Sequence, residues 1–173
     1  AAVAVVNSLG VVAVYHLVRR VWSPTAAVVA GLLLALDPFL AGLSGLFHVD
    51  GLSATFATLS LLALAVALGE RGRRGVWLVV SGVCAGLAAL SKTPALVLLP
   101  VTGLALLWPA LRSAAPWRVR LLGIVRDGLV WFAAMAATML LLLPALWAGP
   151  RGVIEIVGGS ANRHLDEALR ETF

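Results

Sequence analysis

Asp50 stands two residues after His48 in Phe47-His48-Val49-Asp50-Gly51, just before a long uncharged apolar run. A carboxylate beside an imidazole can bind a metal ion, take up a proton or accept hydrogen bonds from sugar hydroxyls. The same aspartate also reads as the N-cap of the following helix, where free N–H groups favour a negative acceptor. Lys92 lies in Ser91-Lys92-Thr93-Pro94, between two further apolar runs. An ammonium there either reaches out to bulk lipid phosphates or grips the phosphate of a bound lipid substrate. In the second case the Ser91 and Thr93 hydroxyls would add donors. Asp37 precedes Pro38 and reads as the residue that terminates a helix. Asn162, His164, Asp166 and Glu167 gather near the end of the chain. They are too sparse to name a metal site and read as a solvated loop. Tyr15-His16 reads as interfacial anchoring. Cys84 is the one cysteine and packs as a small hydrophobe. Zinc-protease, P-loop, dinucleotide and nucleophile-elbow motifs are all missing.

The elements that position these residues are membrane helices. Apolar residues make up 61% of the 173 positions, charged residues 12%, and the mean hydropathy is +1.02. A soluble domain is far less apolar. Spans of roughly 20 residues are predicted at 1–18, 24–36, 51–69, 75–91, 94–108 and 128–148. That makes an all-α polytopic transmembrane bundle of about six spans. Asp37-Pro38 interrupts the second, which is short, tilted or continued past a break through 39–47. Lys92-Thr93-Pro94 makes a tight hairpin between the fourth and fifth. Pro100 is predicted to kink the fifth. Between the fifth and sixth, 109–127 mixes Arg112, Arg118, Arg120 and Arg126 with Trp117, Leu121 and Leu122. This stretch reads either as a short interfacial helix or as a basic loop. Ser81-Gly82, Gly86, Ala88-Ala89 and Ala133, Ala136 and Ala137 are helix-packing signals.

Charge gives the orientation. Arg19 and Arg20 follow the first run, Arg71, Arg73 and Arg74 the third, and Arg112, Arg118, Arg120 and Arg126 the fifth. Basic loops stay on the cytoplasmic side, so Asp50 and Lys92 are predicted on the outer face. Nine of the thirteen basic residues lie in those three loops. The net charge of +5 therefore reflects membrane orientation and anionic headgroups, and nucleic acid is not a predicted partner. Residues 1–148 read as the membrane region and 149–173 as the start of an extracytoplasmic loop. With apolar sequence at its start and no stop signal at its end, the chain reads as an internal piece of a longer protein.

Three stretches then resemble a known family. They are Arg19-Arg20 through Leu36-Asp37-Pro38-Phe39, then Phe47-His48-Val49-Asp50-Gly51-Leu52, then Gly86-Leu87-Ala88-Ala89-Leu90-Ser91-Lys92-Thr93-Pro94-Ala95 leading to Leu99-Pro100. Together they resemble the integral-membrane GT-C glycosyltransferases that use polyprenol-phosphate sugars, in the protein O-mannosyltransferase and aminoarabinose-transferase-like superfamily. The resemblance covers essentially 1–148. It implies a GT-C membrane fold and transfer of a sugar from a polyprenyl-phosphate carrier to an acceptor hydroxyl at the outer membrane face; a plasma-membrane location fits a prokaryote best. The acceptor would be protein, lipid or glycan. Asp50 matches the acidic position that opens the helix after the second outer loop, and is the implied catalytic residue. Lys92 matches the lysine that approaches the carrier phosphate; His48 beside Asp50 and the Thr93 hydroxyl, read from the residues themselves, complete the predicted substrate-binding set. Expulsion of a dianionic phosphate needs a divalent metal or cations to stabilise it, with no ligand set named. The family's principal catalytic acid lies upstream of the matched stretches, so this piece alone is expected to be inactive.

Two other classes compete. A transporter or permease would place polar groups or broken helices near the bilayer midplane, whereas here ionisable residues gather at the rims. A non-catalytic assembly subunit would lack an acidic first outer loop in the full gene.

Overall fold

The computed structural model describes residues 2–38, 42, 49–70, 72–112, 116–143 and 147. Among them are six α-helices, one 3₁₀ turn and no strand. They are α1 (Ala2–Val21), α2 (Pro24–Ala35), α3 (Val49–Gly69), α4 (Arg74–Ser91), the 3₁₀ turn (Thr93–Val97), α5 (Leu98–Arg112) and α6 (Trp117–Leu142). Residues Ala1–Met139 form one compact unit and Leu140–Phe173 a second. Five helical segments are long and apolar enough to cross a membrane, counting Thr93–Arg112 as one, and α2 is a shorter apolar helix. The all-α polytopic bundle is thus as the sequence reads.

α2 starts where local chemistry dictates. The Ser23 hydroxyl accepts from Ala26 N–H at 3.1 Å, and Pro24 occupies the first turn. That pairing satisfies one orphan donor and places proline where its missing N–H costs nothing. The helix runs for only 12 residues before Leu36 and Asp37, a rise of about 18 Å.

Two expectations need correction. Apart from Pro116, the described residues of 109–127 belong to the ends of two long helices rather than to a separate interfacial helix or a basic loop. α5 continues through Pro109 to Arg112, and α6 begins at Trp117 and runs unbroken for 26 residues. A helix of that length is about 39 Å long and exceeds the hydrocarbon core. That length lets its arginine-bearing first turns reach the headgroups while the rest of the helix spans the core. Pro100 also lies in the first turn of α5, directly after the 3₁₀ segment. A helix start has no intrahelical acceptor for that N–H, so the proline interrupts no ladder there.

Lipid offers no hydrophobic incentive for helices to associate, so close backbone approach and hydroxyl bridges must hold the bundle. α4 supplies both. A Cβ built on Gly82 would come within 2.4 Å of the Trp131 carbonyl oxygen, and one on Gly86 within 2.8 Å of Thr138 Cβ. Only hydrogen fits at either position against α6. Beside them, Ser81 Oγ donates to the Ser60 carbonyl at 2.8 Å and accepts from Trp131 Nε1 at 2.9 Å. This fully buried bridge joins α3, α4 and α6. Ala85, Ala88, Leu98, Trp131 and Met135 fill the space around it. α1 crosses α3 just as closely: Gly10 faces the Thr55 methyl, and Thr55 Oγ1 donates to Asn7 Oδ1 at 3.0 Å. Elsewhere large apolar side chains such as Leu33, Leu104 and Leu122 point outward, as a lipid-facing surface requires.

Gly82→Ala is expected to destabilise the bundle by about 1–3 kcal/mol, the usual cost of overpacking. Gly103→Ala, with open space around its Cβ position, is expected to be neutral or slightly stabilising. Thermal or denaturant unfolding of the two variants in one detergent checks the difference.

Candidate functional site

The two residues singled out by sequence meet in space. Asp50 lies in the first turn of α3 and Lys92 terminates α4. Lys92 Nζ is 2.5 Å from Asp50 Oδ1. Lys92 can make this contact because the chain turns extended at its Cα (φ −156°, ψ 128°), which ends α4, while its N–H still bonds the Ala88 carbonyl. The next residues wind into the 3₁₀ turn, with Ala95 N–H on the Lys92 carbonyl at 3.0 Å. Ser53 Oγ donates to the Ala88 carbonyl at 3.3 Å and ties the two helix ends together one turn deeper. The ammonium is held by a carboxylate.

Asp50 is not the N-cap that the sequence suggests: α3 already includes Val49, so the carboxylate lies inside the first turn, where the helix dipole still favours negative charge. Ser91 does not offer a spare proton: its hydroxyl donates to the Leu87 carbonyl at 2.9 Å. Thr93 is exposed at the first position of the 3₁₀ turn. His48 lies outside the described residues, as do Asn162, His164, Asp166 and Glu167.

Beside the pair opens a cleft of about 280 Å³ between α1, α2 and α3. Val11, Val14, Leu34 and Ala54 give it apolar walls, and Asp37, Asp50 and Thr58 also line it. Asp37 lies just past the end of α2, which Leu36 caps, and shares a cavity with Asp50. The signal for this was the placement of both aspartates in one inter-span segment. Asn7 was not singled out, although it is the one amide side chain in an apolar run, and it supports this wall through Thr55. No group of three or more His, Cys, Asp or Glu side chains converges among the described residues.

The opposite end of the bundle carries a different charge pattern. Arg20 bonds Glu70 at 3.2 Å and lies over the Trp77 ring, whose Nε1 donates to the same glutamate. Asp127 is buried, with Arg74 Nε at 2.7 Å and Arg126 Nη2 at 3.0 Å. The two ends therefore separate as the charge alternation demands: Arg74 begins α4 and Lys92 terminates it. Midway, the buried hydroxyls of Ser60 and Ser81 bond each other and Trp131, while Thr138 donates to its own helix at Ala134 O. They serve packing, and their mutual bonding gives no support to a permeation path.

Residues 1–147 match the family described as dolichyl-phosphate-mannose-protein mannosyltransferase. The chain belongs to this family. No curated protein and no solved structure matches it. The mannosyltransferase family consists of integral-membrane glycosyltransferases, in agreement with the GT-C resemblance, and the match spans every helix from α1 to α6. An integral, multi-pass membrane protein with glycosyltransferase ancestry follows from the match and the helices together.

The Asp50–Lys92 pair is half-exposed, with side-chain exposures of 33% and 48%. Solvent screening limits such pairs to about 0–1 kcal/mol. A double-mutant cycle with Asp50→Asn and Lys92→Gln is therefore expected to give a coupling below about 1 kcal/mol in unfolding free energy. A larger coupling would make the pair a structural staple.

Proposed function

We propose that the Asp50–Lys92 end binds a polyprenyl-phosphate-linked sugar, from which the enzyme transfers the sugar to an acceptor hydroxyl at the outer membrane face. The observation that carries this reading is the ion pair itself, set at an apolar cleft. Lys92 supplies the one cation there among the described residues, and Asp50 fixes where its ammonium sits. Support for the outer face comes from the arginine-rich opposite end and the positive-inside rule. Membership in a mannosyltransferase family supports the donor class.

The chemistry follows from charge. The bond between the anomeric carbon and the phosphate oxygen breaks, the acceptor oxygen forms the new bond, and its proton passes to a carboxylate. The leaving polyprenyl phosphate becomes a dianion, which nearby cations must stabilise as it forms. Lys92 meets that developing charge. Asp50 holds the ammonium and orients the sugar or the acceptor, while Thr93 and His48 complete the contacts to the donor. The apolar cleft wall receives the isoprenoid end of the carrier. Asp37 and Asp50 line one cavity, and two carboxylates with a substrate phosphate are a donor set that Mg²⁺ or Mn²⁺ accepts. Such an ion, when bound, would add charge neutralisation at the phosphate. The membrane region 1–148 would carry this site in a prokaryotic plasma membrane; 149–173 lie outside the described residues.

The test uses the full-length protein in lipid, supplied with a panel of polyprenyl-phosphate sugars. Lys92→Ala is expected to lower turnover by about a hundredfold, as loss of a charge-stabilising donor does. Asp50→Asn is expected to lower it by about tenfold or more through misplacement of the lysine. Turnover unchanged in both folded variants would return the two residues to anchoring and stabilising a helix start.

A further inference from the structure

At the arginine-rich end, a cavity of about 350 Å³ opens between the start of α4, the end of α5 and the first turns of α6. Arg74, Arg120 and Arg126 line it together with Asp127. Three guanidinium groups face one carboxylate, which leaves an excess of two positive charges. Asp127 is already occupied by Arg74 and Arg126. Arg120 is the group left over. Its Nη1 donates to the Ala110 carbonyl at 3.3 Å. Its Nε is buried from solvent and has no hydrogen-bond acceptor among the described residues. A buried N–H without an acceptor is costly, and a guanidinium presents donors in a fork that matches phosphate oxygens.

The cavity does not end in water on every side. A second hollow of about 290 Å³ adjoins it and shares Ala110, Arg120 and Ile124. Its remaining walls are Leu107, Leu111, Trp117 and Leu121, all apolar. Tryptophan rings mark this level as the membrane interface: Arg112 lies over Trp108 at 4.3 Å and Arg118 over Trp117 at 5.6 Å. A cationic chamber continuous with an apolar groove at headgroup depth has the shape of an amphiphile. A free phosphate would fill only half of it.

We infer that this joined cavity binds one anionic phospholipid, its phosphate on Arg120 with Arg74 and Arg126, and an acyl chain along Leu107, Leu111 and Leu121. Basic chambers between membrane helices suit such headgroups. This site lies about 27 Å along α4 from Lys92, at the other end of the helix from the ion pair, and does not depend on the donor-binding proposal.

The experiment titrates the purified protein in detergent with dioleoylphosphatidylglycerol or dioleoylphosphatidylcholine and reads bound lipid by native mass spectrometry. The glycerol lipid is expected to bind more tightly, by roughly fivefold for each arginine that engages its phosphate. Arg120→Gln is expected to remove roughly fivefold of that preference, and Arg112→Gln, outside both hollows, to leave it unchanged. Leu107→Trp, which fills the groove from an exposed position and spares every arginine, is expected to weaken binding of the intact lipid. Millimolar inorganic phosphate is expected not to displace it. Equal binding of the two lipids overturns the proposal, as does an Arg120→Gln effect no larger than that of Arg112→Gln. Displacement by inorganic phosphate together with indifference to Leu107→Trp would assign the arginines to a soluble anion and overturn it as well. Should Arg120→Gln fail to fold, the wild-type lipid comparison and Leu107→Trp decide the matter.

Discussion

The packing of α4 between α3 and α6 is the constraint on which the rest of the structure hangs. In lipid, apolar side chains gain nothing by leaving one apolar neighbour for another, so the bundle needs something lipid cannot supply. Gly82 and Gly86 supply backbone proximity, and the Ser81 hydroxyl supplies a bridge to Ser60 and Trp131. Both act along one helix. Because α4 is fixed in this way, its two ends are fixed too. Arg74 is presented to Asp127 at one end and Lys92 to Asp50 at the other. Neither pair would hold its geometry on a helix free to rotate.

Both pairs join residues far apart in sequence, and this is where sequence reading stops. The helices themselves were legible: the structured bounds of α3 and α4 fall within two residues of the apolar runs, because charge and glycine punctuate both ends. The small residues of α4 were legible as packing signals. Their partner was not, since a glycine announces that something comes close without saying what. Asp50 and Lys92 were each visible as charges between apolar runs. Their union required knowing that α3 and α4 are antiparallel neighbours whose ends coincide. Asp127 was passed over because an aspartate flanked by arginine reads as interface, and nothing local reveals that Arg74 reaches it from another helix. The start of α6 was obscured for a related reason. Arginines that reach the headgroups dilute the apolar signal while leaving the backbone helical.

The Asp50–Lys92 pair also shows how a weak interaction can matter. Half-exposed, it adds little to stability. Its effect is positional: a lysine side chain has four rotatable carbons, and a carboxylate at 2.5 Å removes most of that freedom. An ammonium so placed meets a phosphate without first being ordered, which lowers the entropic cost of recognition. The backbone contributes as well, because the extended Lys92 residue and the 3₁₀ turn after it fix the direction in which the side chain leaves.

The separation of the two ends of α4 has a mechanical meaning. From Arg74 to Lys92 the helix rises about 27 Å, slightly less than the roughly 30 Å of a typical hydrocarbon core. Long cations usually absorb such a shortfall by stretching toward the headgroups. Here both are tethered to carboxylates, so that slack is reduced, and a closely packed helix cannot change its tilt alone. Any mismatch left along α4 falls on the surrounding lipid, at a cost of fractions of a kcal/mol per ångström. Acyl-chain length therefore acts on this protein as a load, borne where its charged ends are anchored.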